Sequence, residues 1–130
     1  MIEEKFFIKT LPYNKVSKSS AQLEYEIQNY LASKYDFVPK IDTILFLNTY
    51  TEIKMQKING FTLADKISDE PTEIPIWIWN EIRRIIKILY YEEGIEYIDI
   101  TPYNFMIDAN DKIWLIDFGH AYYTNNINSK

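Results

Sequence analysis

The sequence predicts an α+β fold, and three observations predict it. Short apolar runs bounded by turn residues stand at residues 6–11, 43–47, 50–58, 105–107 and 113–116. Two other stretches, residues 20–31 and 75–89, repeat their apolar side chains at helical spacing instead. The resulting order is strand, helix, strand pair, short helix, long helix, hairpin, with no internal repeat and no Gly/Ser-rich linker.

Phe6-Phe7-Ile8-Lys9-Thr10-Leu11 reads as a strand stopped by Pro12. Residues 15–20 are a polar loop. A helix starts at Ser19 or Ser20, whose hydroxyls suit its cap, and carries Leu23, Ile27, Tyr30 and Leu31 on its repeat. Residues 43–47 and 50–58 then form an antiparallel pair turning at Asn48-Thr49. Asn59-Gly60 turns the chain into a short helix over residues 62–67, and residues 68–73 make an acidic, solvated loop. Pro75 suits the first turn of a long helix and Gly94 its end. Ile78, Ile82, Ile85, Ile86 and Leu89 lie on one face of it, with Glu81, Arg84 and Lys87 turned outward. Phe105-Met106-Ile107 and Ile113-Trp114-Leu115-Ile116 flank a turn-rich loop, Asp108-Ala109-Asn110-Asp111-Lys112. That hairpin places Asn104 just before one strand and Asp117 just after the other, at one open end. The eleven residues after Gly119 are expected to be a frayed tail.

At 130 residues the chain is one domain. A chain of that size buries roughly two-thirds of its unfolded surface, enough for a real core. A net charge of −5 argues against a nucleic-acid or anionic-membrane binder, because either needs a basic face. Cysteine is absent, so disulfides and thiolate metal sites are excluded and a reducing, cytoplasmic location is expected. The first nine residues contain no long apolar stretch, so no leader is expected. No run approaches the roughly 20 apolar residues of a membrane span. His120 has no second His or Cys at ligand spacing, which argues against a metal role.

The chemistry gathers in Tyr97-Ile98-Asp99-Ile100-Thr101-Pro102-Tyr103-Asn104 and Trp114-Leu115-Ile116-Asp117-Phe118-Gly119. An Asp, an Asn amide and a second Asp supply the hard oxygens that Mg²⁺ prefers and leave one carboxylate over. The Asp-to-Asn spacing and the Asn-to-Asp-Phe-Gly spacing resemble the catalytic and metal loops of the protein-kinase family. The resemblance covers nearly the whole chain and is to small atypical kinases of the Bud32 and RIO types; the Bud32 type also carries Thr at the place of Thr101. It implies a truncated protein kinase-like fold: a small sheet-plus-helix N-lobe over residues 1–58, a hinge at 59–60, and a short helical C-lobe with the catalytic hairpin over 61–130.

The resemblance further implies roles. Asp99 would accept or orient the proton of the substrate hydroxyl, and Asn104 and Asp117 would hold Mg²⁺ on the phosphates of ATP. Phe7-Ile8-Lys9 is similar to the family's Val/Ala-Ile-Lys motif, so Lys9 would pair the α- and β-phosphates. Its partner would be Glu24, which lies three residues before Ile27 on the core side with Leu23 and Leu31; Glu26 lies about 200° round the helix. Met55 would be the gatekeeper, with backbone groups of Gln56 and Ile58 on the adenine edge. For each residue the competing role is ordinary: a solvated charge, a loop cap, an edge strand.

Four departures from the family stand out. None of the eight residues before Lys9 is glycine, so a domain without the glycine-rich phosphate loop is expected. Tyr97-Ile98 replaces His-Arg, which removes the usual partner of a phosphorylated activation loop. Thr101 stands where many Ser/Thr kinases carry Lys. No Ala-Pro-Glu motif or large helical subdomain is expected after Gly119. Three functions compete: an ATP- and Mg²⁺-dependent Ser/Thr protein kinase acting on an unidentified protein; a weak or inactive kinase-like protein that binds nucleotide or docks on a partner kinase; and a small-molecule phosphotransferase similar to aminoglycoside or choline kinases. The short lobe leaves a face suited to a homodimer or another protein.

Overall fold

The computed structural model describes residues 5–124. Residues 1–4, on which the expectation of no leader partly rests, and residues 125–130, the end of the expected tail, lie outside the described residues. The chain is mixed sheet and helix, and divides into two compact units, Met1–Ile58 and Asn59–Lys130.

In the first unit β1 (Phe6–Pro12), β2 (Ile41–Phe46) and β3 (Tyr50–Gln56) form an antiparallel sheet in the order β1-β3-β2. Strand β3 alternates strictly, burying Thr51, Ile53 and Met55 and leaving the residues between them half-buried, as a sheet with one covered face requires. Helix α1 (Lys18–Lys34) packs on β2 and β3. Leu11, Ala21, Ile53 and Met55 are the buried centre, with Val16, Tyr25, Ile41 and Ile44 against them. The helix begins earlier than its serine pattern suggests: Ser17 is the cap, and its hydroxyl accepts from the Ser20 amide at 3.1 Å. Its buried face is Ala21, Glu24, Ile27, Gln28, Leu31 and Ala32. Leu23 and Tyr30, expected on that face, are exposed, because Glu24 and Gln28 occupy the middle of the core side and turn it away from them.

In the second unit Gly60–Thr62 is strand β4 rather than the start of a helix, and α2 (Leu63–Lys66) follows it, capped by the Thr62 hydroxyl. Strand β4 pairs with β6 (Phe105–Asp108), which pairs with β7 (Ile113–Leu115), so the expected hairpin is the core of a three-stranded sheet. Gly60 makes this possible. A Cβ there would stand 2.2 Å from the Ile107 carbonyl oxygen and 2.7 Å from the Asp108 Cα. Helix α3 (Ile76–Lys87) packs on β7 and runs into a π-helical turn, Ile88–Glu92, before Gly94 closes it at φ 67°. Its Ile78, Ile82 and Ile85, with Leu89 beyond, are buried, and each contributes roughly 1.5–3 kcal/mol by leaving water.

The expected frayed tail is corrected in part. Ala121–Tyr123 is a strand, β8, paired antiparallel with β5 (Ile95–Tyr97). Neither three-residue strand has a recognisable pattern of its own, and each is defined by the other. Among the described residues no helix is long and apolar enough to cross a membrane.

Candidate active site

Within the first unit, Lys9 lies opposite Ile53 in the β1–β3 register, on the face that α1 covers. Its ammonium forms an ion pair with Glu24, whose side chain is 4% exposed against 21% for Lys9. Glu24 is there because it shares a helical face with Ala21 and Gln28, one turn away on either side, and with Leu31 two turns on. Glu26 is exposed and accepts from the Gln22 side chain at 2.9 Å.

Met55 is buried at the end of the same sheet face. Its sulfur receives a contact from Gln28 Nε2 at 3.5 Å, and that amide also donates to the Pro39 carbonyl at 2.9 Å. Gln28 carries a buried Oε1 with no hydrogen-bond partner. Its place was readable in principle: it follows Glu24 by four residues and so shares its face. The Gln56 amide donates to the Lys40 carbonyl at 2.8 Å, and its side-chain Oε1 accepts from the Lys40 amide at 3.0 Å. Any contribution of Gln56 to an adenine edge therefore has to come from its carbonyl. Ile58 is buried at the end of this unit.

In the second unit the loop from β5 to β6 is held by its own polar groups. The Thr101 carbonyl accepts from the Asn104 amide at 3.1 Å, its hydroxyl accepts from the Tyr103 amide at 3.3 Å, and the Pro102 carbonyl accepts from the Ala64 amide at 3.1 Å. Asn104 is buried, and its Nδ2 donates to the Asp99 carbonyl at 2.7 Å. Because that partner is a carbonyl, the amide nitrogen must face it, which leaves Oδ1 as a hard oxygen outside that bond. The Asn104 carbonyl accepts from the Ile116 amide at 3.1 Å, so the residue before Asp117 is tied to Asn104 across the open end of the hairpin. Asp117 Oδ1 accepts from the Gly119 amide at 2.9 Å, which bends the chain after β7. Phe118 is buried, edge-on to Tyr97 with ring centroids 6.4 Å apart. Two hydrogen bonds thus tie Asn104 to Asp99 and to Ile116, the residue before Asp117.

Composition and spacing did not single out two neighbours of this loop. His120 Nε2 lies 3.4 Å from Asp99 Oδ2, with both side chains half-exposed. Tyr103 donates to Asp69 of the acidic loop at 3.3 Å. The Asp69 charge foremost, then burial and the Asp65 charge, raise the Tyr103 hydroxyl above its ordinary value. Both contacts join residues far apart in sequence or separated by a sharp turn, so no local pattern announces them.

Among the described residues no three His, Cys, Asp or Glu side chains converge on a metal position. The donor set still fits Mg²⁺: one carboxylate and one amide oxygen leave places for phosphate and water oxygens, which this ion keeps readily.

The chain matches the family model of the RIO domain across residues 4–130. It belongs to the RIO domain family. This family is one of atypical protein kinases, and the kinase-like α+β fold described above is its fold. Solved structures similar to this RIO domain include the bifunctional kinase-methyltransferase WbdD at medium resolution, with a TM-score of 0.71 and 21% identity over 98% of this chain and 32% of that one. A 2.2 Å crystal structure of WbdD gives a TM-score of 0.67 and 21% identity over 98% and 32% of the two chains. The co-crystal of WbdD with the kinase inhibitor LY294002 gives 0.64 and 21% over 95% and 31%. At that identity the likeness is one of fold, and the RIO domain spans about a third of the WbdD chains it matches. No curated protein matches it.

Proposed function

We propose that this RIO domain transfers the terminal phosphoryl group of ATP, with Mg²⁺, to a hydroxyl, and that a Ser or Thr of a protein is the acceptor. The observation that carries the proposal is the pair of hydrogen bonds by which Asn104 holds Asp99 on one side and the strand leading to Asp117 on the other. These bonds occupy the Asn104 amide nitrogen and backbone carbonyl and leave its side-chain oxygen for a ligand, on a residue tied to the loop of Asp99 and to the strand that leads into Asp117.

Asp99 is half-exposed, so its carboxylate can reach an incoming hydroxyl, accept its proton and orient the oxygen. Asn104 and Asp117 would hold the metal, which when bound neutralises phosphate charge and holds the transferring group in line. Lys9, kept in place by Glu24, would meet phosphate oxygens with an ammonium that needs little reorientation. The cytoplasm, where ATP is abundant and cysteine-free proteins lose nothing, suits this activity.

The test is transfer from γ-labelled ATP by the intact chain beside Asp99→Asn and Asp117→Asn. Wild type should label itself or a generic Ser/Thr acceptor, Asp99→Asn should lose about 10²–10⁴ of the rate with nucleotide binding kept, and Asp117→Asn should lose Mg-ATP binding as well. Equal background from all three would overturn the proposal. In that case Mg-ATP binding by wild type alone would favour a kinase-like regulator.

A further inference from the structure

We infer that His120 is a positioning residue for Asp99, its imidazole holding the carboxylate in the orientation that meets the acceptor hydroxyl; this rests on the phosphotransferase reading above. Asp99 needs such a hold. Its side chain is half-exposed and stands between Ile98 and Ile100, which are themselves exposed and carry no polar side-chain group. A carboxylate free to turn in water spends only part of its time aimed at a reacting group, and the rate falls in proportion. The Asn104 amide fixes Asp99 through its backbone carbonyl and so does not orient the carboxylate. Among the described residues, His120 is the side chain paired with that carboxylate, Nε2 to Oδ2 at 3.4 Å. Catalytic hydrogen bonds often start long and shorten as the reacting groups assemble.

The backbone of His120 is held on both sides. Before it, the Gly119 amide donates to Asp117 Oδ1 at 2.9 Å. After it, the Ala121 amide donates to the Phe118 carbonyl at 3.2 Å, closing a tight turn on the buried Phe118 ring. Strand β8 then starts at Ala121, opposite Tyr97. The last rung of the β5–β8 ladder therefore lies one residue from His120 and two from Asp99, and it sets both side chains at the same open end. An imidazole has only two side-chain torsions, so little freedom is lost when it meets Asp99. It donates from Nε2 as the neutral tautomer protonated there and as the cation. With Oδ2 engaged, Oδ1 is the oxygen left for the hydroxyl. An exposed pair of this kind adds little to folding stability, so its removal is expected to read out in rate.

The test measures kcat and the KM for ATP with γ-labelled ATP, on the intact chain and the acceptor that wild type labels. His120→Ala should lower kcat about tenfold and leave KM for ATP unchanged. His120→Gln, whose amide nitrogen reaches about as far as Nε2, should recover most of the loss, and the shorter His120→Asn should not. In the Asp99→Asn background His120→Ala should cost nothing further, because the base it orients is gone. Tyr122→Phe, which removes the hydroxyl bonded to Glu96 across the same ladder, should keep the wild-type rate. If His120→Ala does not fold, His120→Phe, a ring without a donor, should show the same loss.

The inference is overturned if the folded His120 variant keeps the wild-type kcat, or if its loss falls on KM instead. It also falls if the loss is as large in Asp99→Asn as in wild type, or if Tyr122→Phe reproduces it, since either marks a role in shaping the turn. All four outcomes leave the role of Asp99 standing as long as Asp99→Asn is slow. Equal transfer by wild type and Asp99→Asn would take down the phosphotransferase reading and this one together.

Discussion

Single side chains in this protein are held by few, specific partners, and Lys9 with Glu24 shows what that costs. Glu24 is nearly buried, so losing Lys9 leaves an uncompensated carboxylate in the core, whereas losing both leaves only apolar contact to rebuild. Lys9→Leu should therefore destabilise the fold by roughly 2–3 kcal/mol, less than the roughly 3–5 kcal/mol of a fully buried pair because Lys9 still reaches water. The double variant Lys9→Leu/Glu24→Leu should be more stable than the sum of the two single changes predicts, a coupling that urea denaturation of the four proteins measures. The choice of Glu24 over Glu26 was legible in the amino-acid order, since helical geometry puts only one of them on the core side. The burial of Gln28 beside Met55 and the approach of His120 to Asp99 were not. A glutamine one turn from a core position is as often solvated, and the His120 contact depends on a turn whose angle no local pattern sets.

At the scale of elements, strand β4 depends on one missing side chain. Gly60→Ala should separate β4 from β6, because the added methyl meets backbone atoms that cannot rotate away; a loss of at least about 3 kcal/mol is expected in chemical denaturation. Ser17→Ala should cost α1 about 1 kcal/mol through its cap. The β6–β7 turn is organised by Asp108. Its carboxylate accepts from the Asn110 and Lys112 amides at 2.8 and 3.0 Å and from the Trp114 indole at 3.0 Å. Burial pushes this carboxyl upward, but the hydrogen bonds, with the Lys112 charge, outweigh it and hold it below its ordinary value of 3.8. A lowered folded value means the ionised form is favoured in the fold. Its stabilisation is complete well above 3.8 and fades as the pH falls through the lower folded value. Asp108→Asn should remove that part of the acid-side slope in stability, followed by denaturation at pH values from about 6 down to about 2. Periodicity disclosed the helices and the hairpin strands. It missed β4, β5 and β8, because three residues contain too little alternation to stand out and their pairing partners are distant in sequence.

For the whole molecule, ligand binding and stability are linked. Mg-ATP at about 100 times its dissociation constant should add about 2.7 kcal/mol to the folded state, a rise in melting temperature of roughly 10 °C for a domain of this size. The shift should vanish in Asp117→Asn and shrink in Lys9→Leu, and scanning calorimetry at several nucleotide concentrations checks both. Reductant should leave the transition unmoved, since there is no cysteine to respond. The amino-acid order was enough for the kind and succession of the long elements, because apolar periodicity and turn residues act locally. It was enough for the family too, because Asp99, Asn104 and Asp117-Phe118-Gly119 keep a spacing along the chain that needs no folding to be seen. Tertiary structure alone decided that β1 pairs with β3, that β4 joins the hairpin through β6, and that Ala121–Tyr123 closes on β5. Those facts rest on contacts between residues far apart in sequence, where the free energy comes from registers and buried surfaces that no short window contains.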